Sequence, residues 1–162
     1  MFRPRSPKHP SPFCLLRILS YKKPSLSYLD GYLDIVQYSC TPYDDVLRDI
    51  KPGNIYKFSI EATPSRTKIT RSFIEDPNDQ IQWILHRDIS NGFMINEMNP
   101  LIPVSHRTTK INEGTGTSFV MKGVLYSGVL TVVDKDLFTR ALCQGLGHGK
   151  AWGFGLIHID KI

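Results

Sequence analysis

A glycine-rich stretch near the end of the chain, QGLGHGKAWGFGL, surrounds one lysine. Its glycines are Gly145, Gly147, Gly149, Gly153 and Gly155, and the lysine is Lys150. Because glycine has no Cβ, backbone amides in such a stretch can come close to phosphate oxygens and bind an anion without carrying charge. The alternative is a helix-to-strand connection that packs tightly and leaves Lys150 in solvent. The first interpretation predicts that this stretch binds a phosphate group.

Two familiar phosphate-binding motifs do not fit this stretch. A P-loop needs glycine where Gln144 stands and Ser or Thr where Ala151 stands. A dinucleotide fingerprint needs glycine at Lys150 or at Trp152, depending on where it starts. Both motifs also run from strand to loop to helix, whereas here a helical pattern comes first and a strand pattern follows. The stretch belongs to neither class.

A second candidate surface is the short basic segment TPSRTKITR. It carries Arg66, Lys68 and Arg71 and no acidic residue. On its own, this composition describes either a solvated turn or a surface for a polyanion. Aromatic residues Trp152 and Phe154 follow the lysine of the glycine-rich stretch and are either core residues or platforms on which nucleic-acid bases stack. Their alternation with glycine at the start of a strand favours the core.

The bulk properties describe an ordinary globular chain. It has 162 residues and a formal charge of +5, which suits a polyanionic partner but does not require one. The three cysteines, Cys14, Cys40 and Cys143, lack the spacing of a disulfide framework or a zinc site, and buried reduced thiols are expected. No apolar run is long enough for a membrane span, and the basic, proline-rich start does not resemble a signal peptide. We expect a cytoplasmic protein without a membrane partner.

The second half of the chain gives the clearer structural pattern. Residues 55–62 alternate between apolar and polar side chains, which is typical of a strand with one wet face. The further predicted elements are a helix capped by Asp76, strands at residues 93–98, 101–104 and 118–133, a helix capped by Asp134, and a final strand ending at Ile159. The order strand, helix, strand, strand, helix, strand is the ferredoxin-like arrangement.

The first half of the chain predicts strands at residues 13–21 and 31–40 and one helical turn before Pro52. No covering helix precedes these strands, so the N-terminal half looks like a truncated version of the C-terminal half. We therefore expect an α+β protein with an incomplete ferredoxin-like domain at residues 1–50 and a complete one at residues 51–162.

Three stretches together resemble one family. The segment GVLTVVDKDLFTRALCQGLGHGKAWGFGLIHI is similar to the C-terminal signature of the CasE-type CRISPR RNA-processing endoribonucleases of type I-E systems. That signature is a strand, a capped helix and a loop of the form G-I-G-x-x-K-x-x-G-x-G-L. IEATPSRTKITR and DQIQWIL resemble two further stretches of the family, in the same order. The resemblance extends from about residue 13 to the end.

The resemblance implies a tandem pair of ferredoxin-like domains, of the RRM or RAMP type, with the first one truncated here. Members of the family bind the stem-loop of a CRISPR repeat transcript and cut it at the base of the stem without a metal or other cofactor. A 2′-hydroxyl attacks the adjacent phosphate, so the enzyme has to move protons and stabilise a phosphorane. The family also implies that the protein stays on its RNA with the subunits of a surveillance complex.

The resemblance assigns the RNA-binding residues to the glycine-rich stretch and to the basic segment, because A-form stems are recognised mainly through backbone and shape. The expected contacts are Gly145, Gly147, His148, Gly149, Lys150, Gly153, Arg66, Lys68 and Arg71.

The pattern departs from the family at the catalytic residue. The general base of the family is a histidine on the first helix of the first domain, and the resemblance starts this chain after that helix, so the catalytic residue is unknown. His9, His86 and His158 are expected to be structural or solvated, and His106 and His148 to lie in loops near the RNA. Three explanations stay open: a damaged or mis-assigned reading frame, a catalytically silent RNA-binding relative or decoy, or a protein-interaction module that binds no RNA.

Overall fold

The computed structural model describes residues 16–29, 35, 37–67, 71–96, 102–112 and 118–162, with the backbone alone at residues 28, 29, 67, 71, 102–112 and 118. The chain forms two units, Met1–Thr41 and Pro42–Ile162. The helices and strands of the second unit are, in chain order, α1 (Tyr43–Asp49), β1 (Ile55–Ala62), β2 (Ser65–Thr67), β3 (Arg71–Phe73), α2 (Pro77–Leu85), β4 (Phe93–Ile95), β5 (Ile102–Asn112), β6 (Ser118–Val132), α3 (Lys135–Gln144) and β7 (Ile157–Lys161).

The first unit does not contain the predicted strands in its described part. Residues 16–20 and 37–40 have no regular structure, and a 3-10 turn forms at Leu26–Leu29. The apolar side chains Leu16 and Ile18 are 58% and 54% exposed. Apolar β-formers make a strand only when a partner strand and a packed face are available. The rest of both predicted strands lies outside the described residues.

The second unit is built on an antiparallel sheet with the strand order β4-β6-β1-β7, and β5 also pairs with β6. Counting β4 and β5 as two parts of one position, the elements β1, α2, β4/β5, β6, α3 and β7 follow the predicted order. The predicted α+β class and ferredoxin-like arrangement are confirmed. A separate two-stranded sheet is formed by β2 and β3.

The strand β5 is much longer than predicted. It extends to Asn112 and pairs with β6 in an antiparallel register from Ile102 opposite Ser127 to Asn112 opposite Ser118. The segment that follows Val104 is rich in polar residues and was expected to be a loop that contains His106. The prediction was wrong because the long partner strand β6 supplies hydrogen bonds that the local sequence pattern does not reveal.

The core lies between the sheet and the helices α2 and α3. Alternate residues of β1, namely Tyr56, Phe58, Ile60 and Ala62, are all 5% exposed or less, as the pattern predicted. Both helices begin at the predicted caps: the carboxylate of Asp76 accepts from the Asp79 amide, and that of Asp134 from the Leu137 amide. The buried residues of the helices are Gln80, Trp83, Ile84, Phe138, Ala141 and Leu142.

Helix α1 belongs to the second unit, where Ile50, directly after it, is fully buried in the core. The domain boundary after residue 50 stays a prediction. The expectation of buried thiols was wrong at the two cysteines described, because Cys40 and Cys143 are exposed. Over the described part of the chain, none of the helices combines the length and apolar character that crossing a bilayer requires.

Candidate nucleic-acid interface

The glycine loop, residues 144–156, connects α3 to β7 through a series of backbone turns. All five of its glycines have positive φ, between 69° and 86°. Gly145 ends α3, and its amide donates to the carbonyl of Ala141 at 2.8 Å. A 3-10 turn at Lys150–Trp152 lies between Gly149 and Gly153, both in the left-handed conformation. The conformation of the loop therefore requires glycine where the sequence supplies it.

The two ends of the loop are fastened to each other and to β1. The amide of Leu146 donates to the carbonyl of Gly155 at 2.8 Å, and the amide of Gly155 donates to the carbonyl of Glu61 at 2.7 Å. A Cβ on Gly145 would lie 2.6 Å from the carbonyl oxygen of Gly155, and a Cβ on Gly155 would collide with the carbonyl oxygen of Leu146. Close backbone packing therefore fixes the base of the loop.

The centre of the loop has a supported side and an open side. Gly147 lies over Trp83, whose Cη2 atom would be 2.9 Å from an added Cβ. Gly149 lies against Met121 and Phe154. By contrast, nothing lies within 4 Å of a Cβ added to Gly153, and Lys150 is exposed. The loop thus presents Lys150 and Gly153 outward from a packed base.

The backbone amides of the loop separate into two groups. Those of Gly145, Gly153 and Gly155 donate to carbonyls within the protein. Among the described residues, the amides of Gly147, Gly149, Lys150 and Ala151 donate to no backbone carbonyl. Only the amides of the second group are therefore candidates for binding an anion. The amides of Gly145 and Gly153 already donate to backbone carbonyls, so these two glycines serve to shape the loop.

The basic segment forms the hairpin of β2 and β3, in which Ser65 pairs with Phe73 and Arg66 with Ser72. The guanidinium of Arg66 makes an ion pair with the carboxylate of Asp79, on the first turn of α2, at 2.5 Å. Arg66 was expected to contact RNA, and the carboxylate that it meets here comes from outside the basic segment, which itself carries no acidic residue. Lys68 lies outside the described residues, and Arg71 is the first residue of β3.

One backbone contact joins the two candidate surfaces. Thr63, directly after β1, forms an isolated antiparallel bridge with His148 of the glycine loop. Two residues later the chain enters β2, which carries Arg66. The hydroxyl oxygen of Thr63 is buried and meets no hydrogen-bond partner among the described residues. The fold therefore brings together two stretches that are far apart in the sequence.

Beneath the loop, Trp83 is stacked on Tyr126, with ring centroids 6.4 Å apart and an interplanar angle of 14°. The guanidinium of Arg87 lies 4.1 Å from the centre of the Trp83 ring and donates to the carbonyl of Trp83. Burial lowers the pKa of Arg87 and raises the pKa of Tyr126. Near neutral pH Arg87 is therefore a cation and Tyr126 a neutral phenol, which are the usual forms of these groups. Both pack against Trp83 in these forms.

The two aromatic residues of the loop have different environments. Phe154 is 2% exposed, as predicted, whereas Trp152 is 37% exposed. The expectation that both belong to the core was wrong for Trp152. Gly153 between them has a φ of 82°, so the backbone turns there and does not alternate as in a strand. The alternation argument assumed an extended backbone at Gly153, and the positive φ of this glycine shows that the backbone is not extended there.

The described histidines do not form an evident catalytic pair. His86 Nδ1 is 2.7 Å from the carbonyl of Gln82, and His158 Nε2 is 3.2 Å from the carboxylate of Asp160. His148 is exposed at the bridge to Thr63, and His106 is in β5 instead of the predicted loop. His9 lies outside the described residues. The catalytic residue stays unassigned.

Comparison with known proteins identifies the family. Residues 2–161 match the family model described as CRISPR associated protein. The chain belongs to this family. The CRISPR-associated endoribonuclease Cse3 of Thermus thermophilus is 28% identical over 160 residues, which are 91% of this chain and 72% of that protein. The predicted resemblance to the CasE-type family is confirmed.

Solved structures agree on the fold. A structure of CRISPR endoribonuclease Cse3 bound to 19 nt RNA is 26% identical, with a TM-score of 0.62 over 68% of this chain and 56% of that one. A chain of a CRISPR RNA-guided surveillance complex is 20% identical, with a TM-score of 0.55 over 70% of this chain and 62% of that one. This chain therefore spans less than two thirds of the length of either structural relative.

Proposed function

We propose that this chain binds the stem-loop of CRISPR repeat RNA through the glycine loop and the β2–β3 hairpin. The bridge between Thr63 and His148 is the observation that carries the proposal, because it places the two predicted phosphate-binding stretches side by side. A stem presents two phosphate backbones, and neighbouring anion-binding segments can contact both.

The glycine loop supplies the more specific half of this surface. Lys150 is exposed, and the amides of Gly149, Lys150 and Ala151 follow one another without a described backbone acceptor. Consecutive amides that converge on one point bind phosphate oxygens, and the ammonium of Lys150 adds a full charge. Because packing fixes the base of the loop, little conformational entropy is lost when these groups meet RNA.

The hairpin supplies a weaker half. The charge of Arg66 is partly compensated by Asp79, and both side chains are about half exposed. Exposed ion pairs of this kind contribute little free energy, so Arg66 can exchange the carboxylate for a phosphate. Lys68 and Arg71 complete the proposed basic surface. The excess of five positive charges over the whole chain favours the same partner.

The relatives suggest the biological setting. One structural relative is bound to 19 nt RNA, and another is part of a CRISPR RNA-guided surveillance complex. We propose the same type of partners for this chain, namely CRISPR RNA and subunits of a type I-E complex in the cytoplasm. RNA cleavage by 2′-hydroxyl attack is implied by the family, and the proposal made for this chain is limited to binding because no catalytic residue is assigned.

The proposal is tested by measuring the affinity of the chain for a CRISPR repeat hairpin over a range of salt concentrations. We expect Lys150→Ala to weaken binding and to reduce the slope of log affinity against log salt by about one or less, since one phosphate contact is lost. The matched control is Lys135→Ala. Lys135 begins α3 and is exposed, about 15 Å along the helix axis from the loop end of the helix.

Equal affinities and slopes for wild type, Lys150→Ala and Lys135→Ala would contradict the assignment of Lys150. Absence of any hairpin binding by the wild type would contradict the proposed function itself. A cleavage assay on the same hairpin, run beside the binding assay, distinguishes an RNA-cutting protein from a catalytically silent relative.

A further inference from the structure

The glycine loop exposes an aromatic side chain that phosphate binding does not use. Trp152 is 37% exposed, whereas Trp83 is 5% exposed. The two residues on either side of Trp152, Ala151 and Gly153, are also exposed and carry no charge. The exposed indole therefore gives the loop an aromatic surface beside its charged and hydrogen-bonding groups.

The position of the indole is fixed by the protein. The amide of Trp152 donates to the carbonyl of Gly149 at 2.8 Å and so closes the 3-10 turn. The ring packs against Phe119 of β6, with centroids 5.6 Å apart and an interplanar angle of 74°. A perpendicular neighbour covers at most one face of the indole. Trp152 is therefore held in place against Phe119 while 37% of its surface is exposed, and this exposed part is where a second aromatic ring could stack.

The charged groups beside Trp152 indicate what its partner is. Lys150 precedes it by two residues in the same turn, and the amides of Lys150 and Ala151 have no backbone acceptor among the described residues. A nucleotide also presents an aromatic base and a phosphate close to each other. Bases inside the stem have both faces covered by their neighbours, so the ring can stack only at the end of the stem or on an unpaired base beside it.

Resting on the proposed function, we propose that Trp152 is a stacking platform for one unpaired nucleobase of the bound RNA, next to the stem, while Lys150 and the adjacent amides bind the phosphate of the same strand. The site takes a single-stranded nucleotide and has little preference among bases, because every base has a π-face. Through this site the protein would recognise an RNA segment beside the stem as well as the stem itself.

The test compares two kinds of RNA: a repeat hairpin with unpaired flanking nucleotides, and a series of abasic variants of the same strand, in each of which one flanking base is removed. We expect Trp152→Ala to bind the complete RNA about tenfold more weakly. For one of the abasic RNAs, wild type and Trp152→Ala should bind equally. Trp152→Phe, which keeps an aromatic ring, should recover most of the affinity for the complete RNA.

The matched control is Val133→Ala, which removes another exposed apolar side chain, directly after the C-terminal end of β6 and away from Phe119 at its start. It should bind both kinds of RNA as the wild type does. Fluorescence gives an independent measurement, because the chain has two tryptophans and Trp83 is buried. Quenching by the complete RNA should exceed quenching by the abasic RNA that removes the stacked base.

Three results would overturn the inference. The first is equal affinity of wild type and Trp152→Ala for the complete RNA. The second is an unchanged ratio of these affinities with every abasic RNA, which would indicate that Trp152 contacts the stem or a protein surface. The third is absence of RNA binding by the wild type, which would overturn the proposed function as well. If binding is retained and only the Trp152 effect is missing, the proposed function stands alone.

Discussion

The ends of the glycine loop and its centre use the same residue type for different purposes. At the ends, Gly145 and Gly155 are pressed against backbone carbonyls and join α3 to β7 and β1. At the centre, Gly153 faces open space beside an exposed Lys150. The ends therefore maintain the fold, and the centre is available to a ligand. Glycine density alone does not tell these two cases apart.

This difference separates stability from binding within one loop. Glycine substitutions at the ends should lower the free energy of unfolding by more than glycine substitutions at the centre, and Lys150→Ala at the centre should lower RNA affinity at nearly constant stability.

The largest effect is expected from Gly155→Ala. The residue has a φ of 86°, and the new Cβ would collide with the rigid carbonyl of Leu146. Left-handed strain and the backbone clash together should lower the free energy of unfolding by about 3 kcal/mol. Urea denaturation measures the change. Stability within error of the wild type would mean that the base of the loop is not packed as described.

A smaller effect is expected from Gly153→Ala. Its φ of 82° imposes similar backbone strain, but no atom lies near the new Cβ, so the loss should be about 1 kcal/mol. Gly53→Ala is a matched control, because Gly53 also has a positive φ and open space and lies outside the loop. Both variants should lose similar stability. A loss for Gly153→Ala as large as that for Gly155→Ala would remove the distinction between ends and centre.

The smallest effect is expected at the hairpin, from Asp79→Asn. This change frees Arg66 from its ion pair and removes a negative charge beside the proposed RNA surface. The affinity of the protein for the repeat RNA should rise about threefold at low salt, and the gain should disappear at high salt. Arg66→Ala in the same background should cancel the gain. If the gain persists in that double variant, Arg66 is not part of the surface.

Much of the fold could be predicted because its signals are local. The alternation of β1 and the caps Asp76 and Asp134 each depend on a few neighbouring residues, and all three were correct. The strand β5 was predicted only as far as Val104, because the polar sequence that follows becomes a strand only through pairing with β6. The described part of the first unit shows the converse: β-forming residues such as Leu16 and Ile18 remain exposed without a partner strand.

The candidate site was predictable in its parts and not in its assembly. The glycine loop and the basic segment are visible in the sequence, and the family resemblance gave them a common role. The bridge between Thr63 and His148 and the ion pair between Arg66 and Asp79 join positions that are distant in the chain. The exposure of Trp152 depends on one backbone dihedral at Gly153. None of these features has a local sequence pattern.

The most direct measurement of the central claim is photo-crosslinking of the chain to a CRISPR repeat hairpin, followed by identification of the modified peptides. The account predicts crosslinks in residues 147–152 of the glycine loop and in the β2–β3 hairpin of the protein. An excess of unlabelled repeat RNA should compete away the crosslinks in the glycine loop. Specific crosslinks elsewhere, with the glycine loop unmodified, would contradict it.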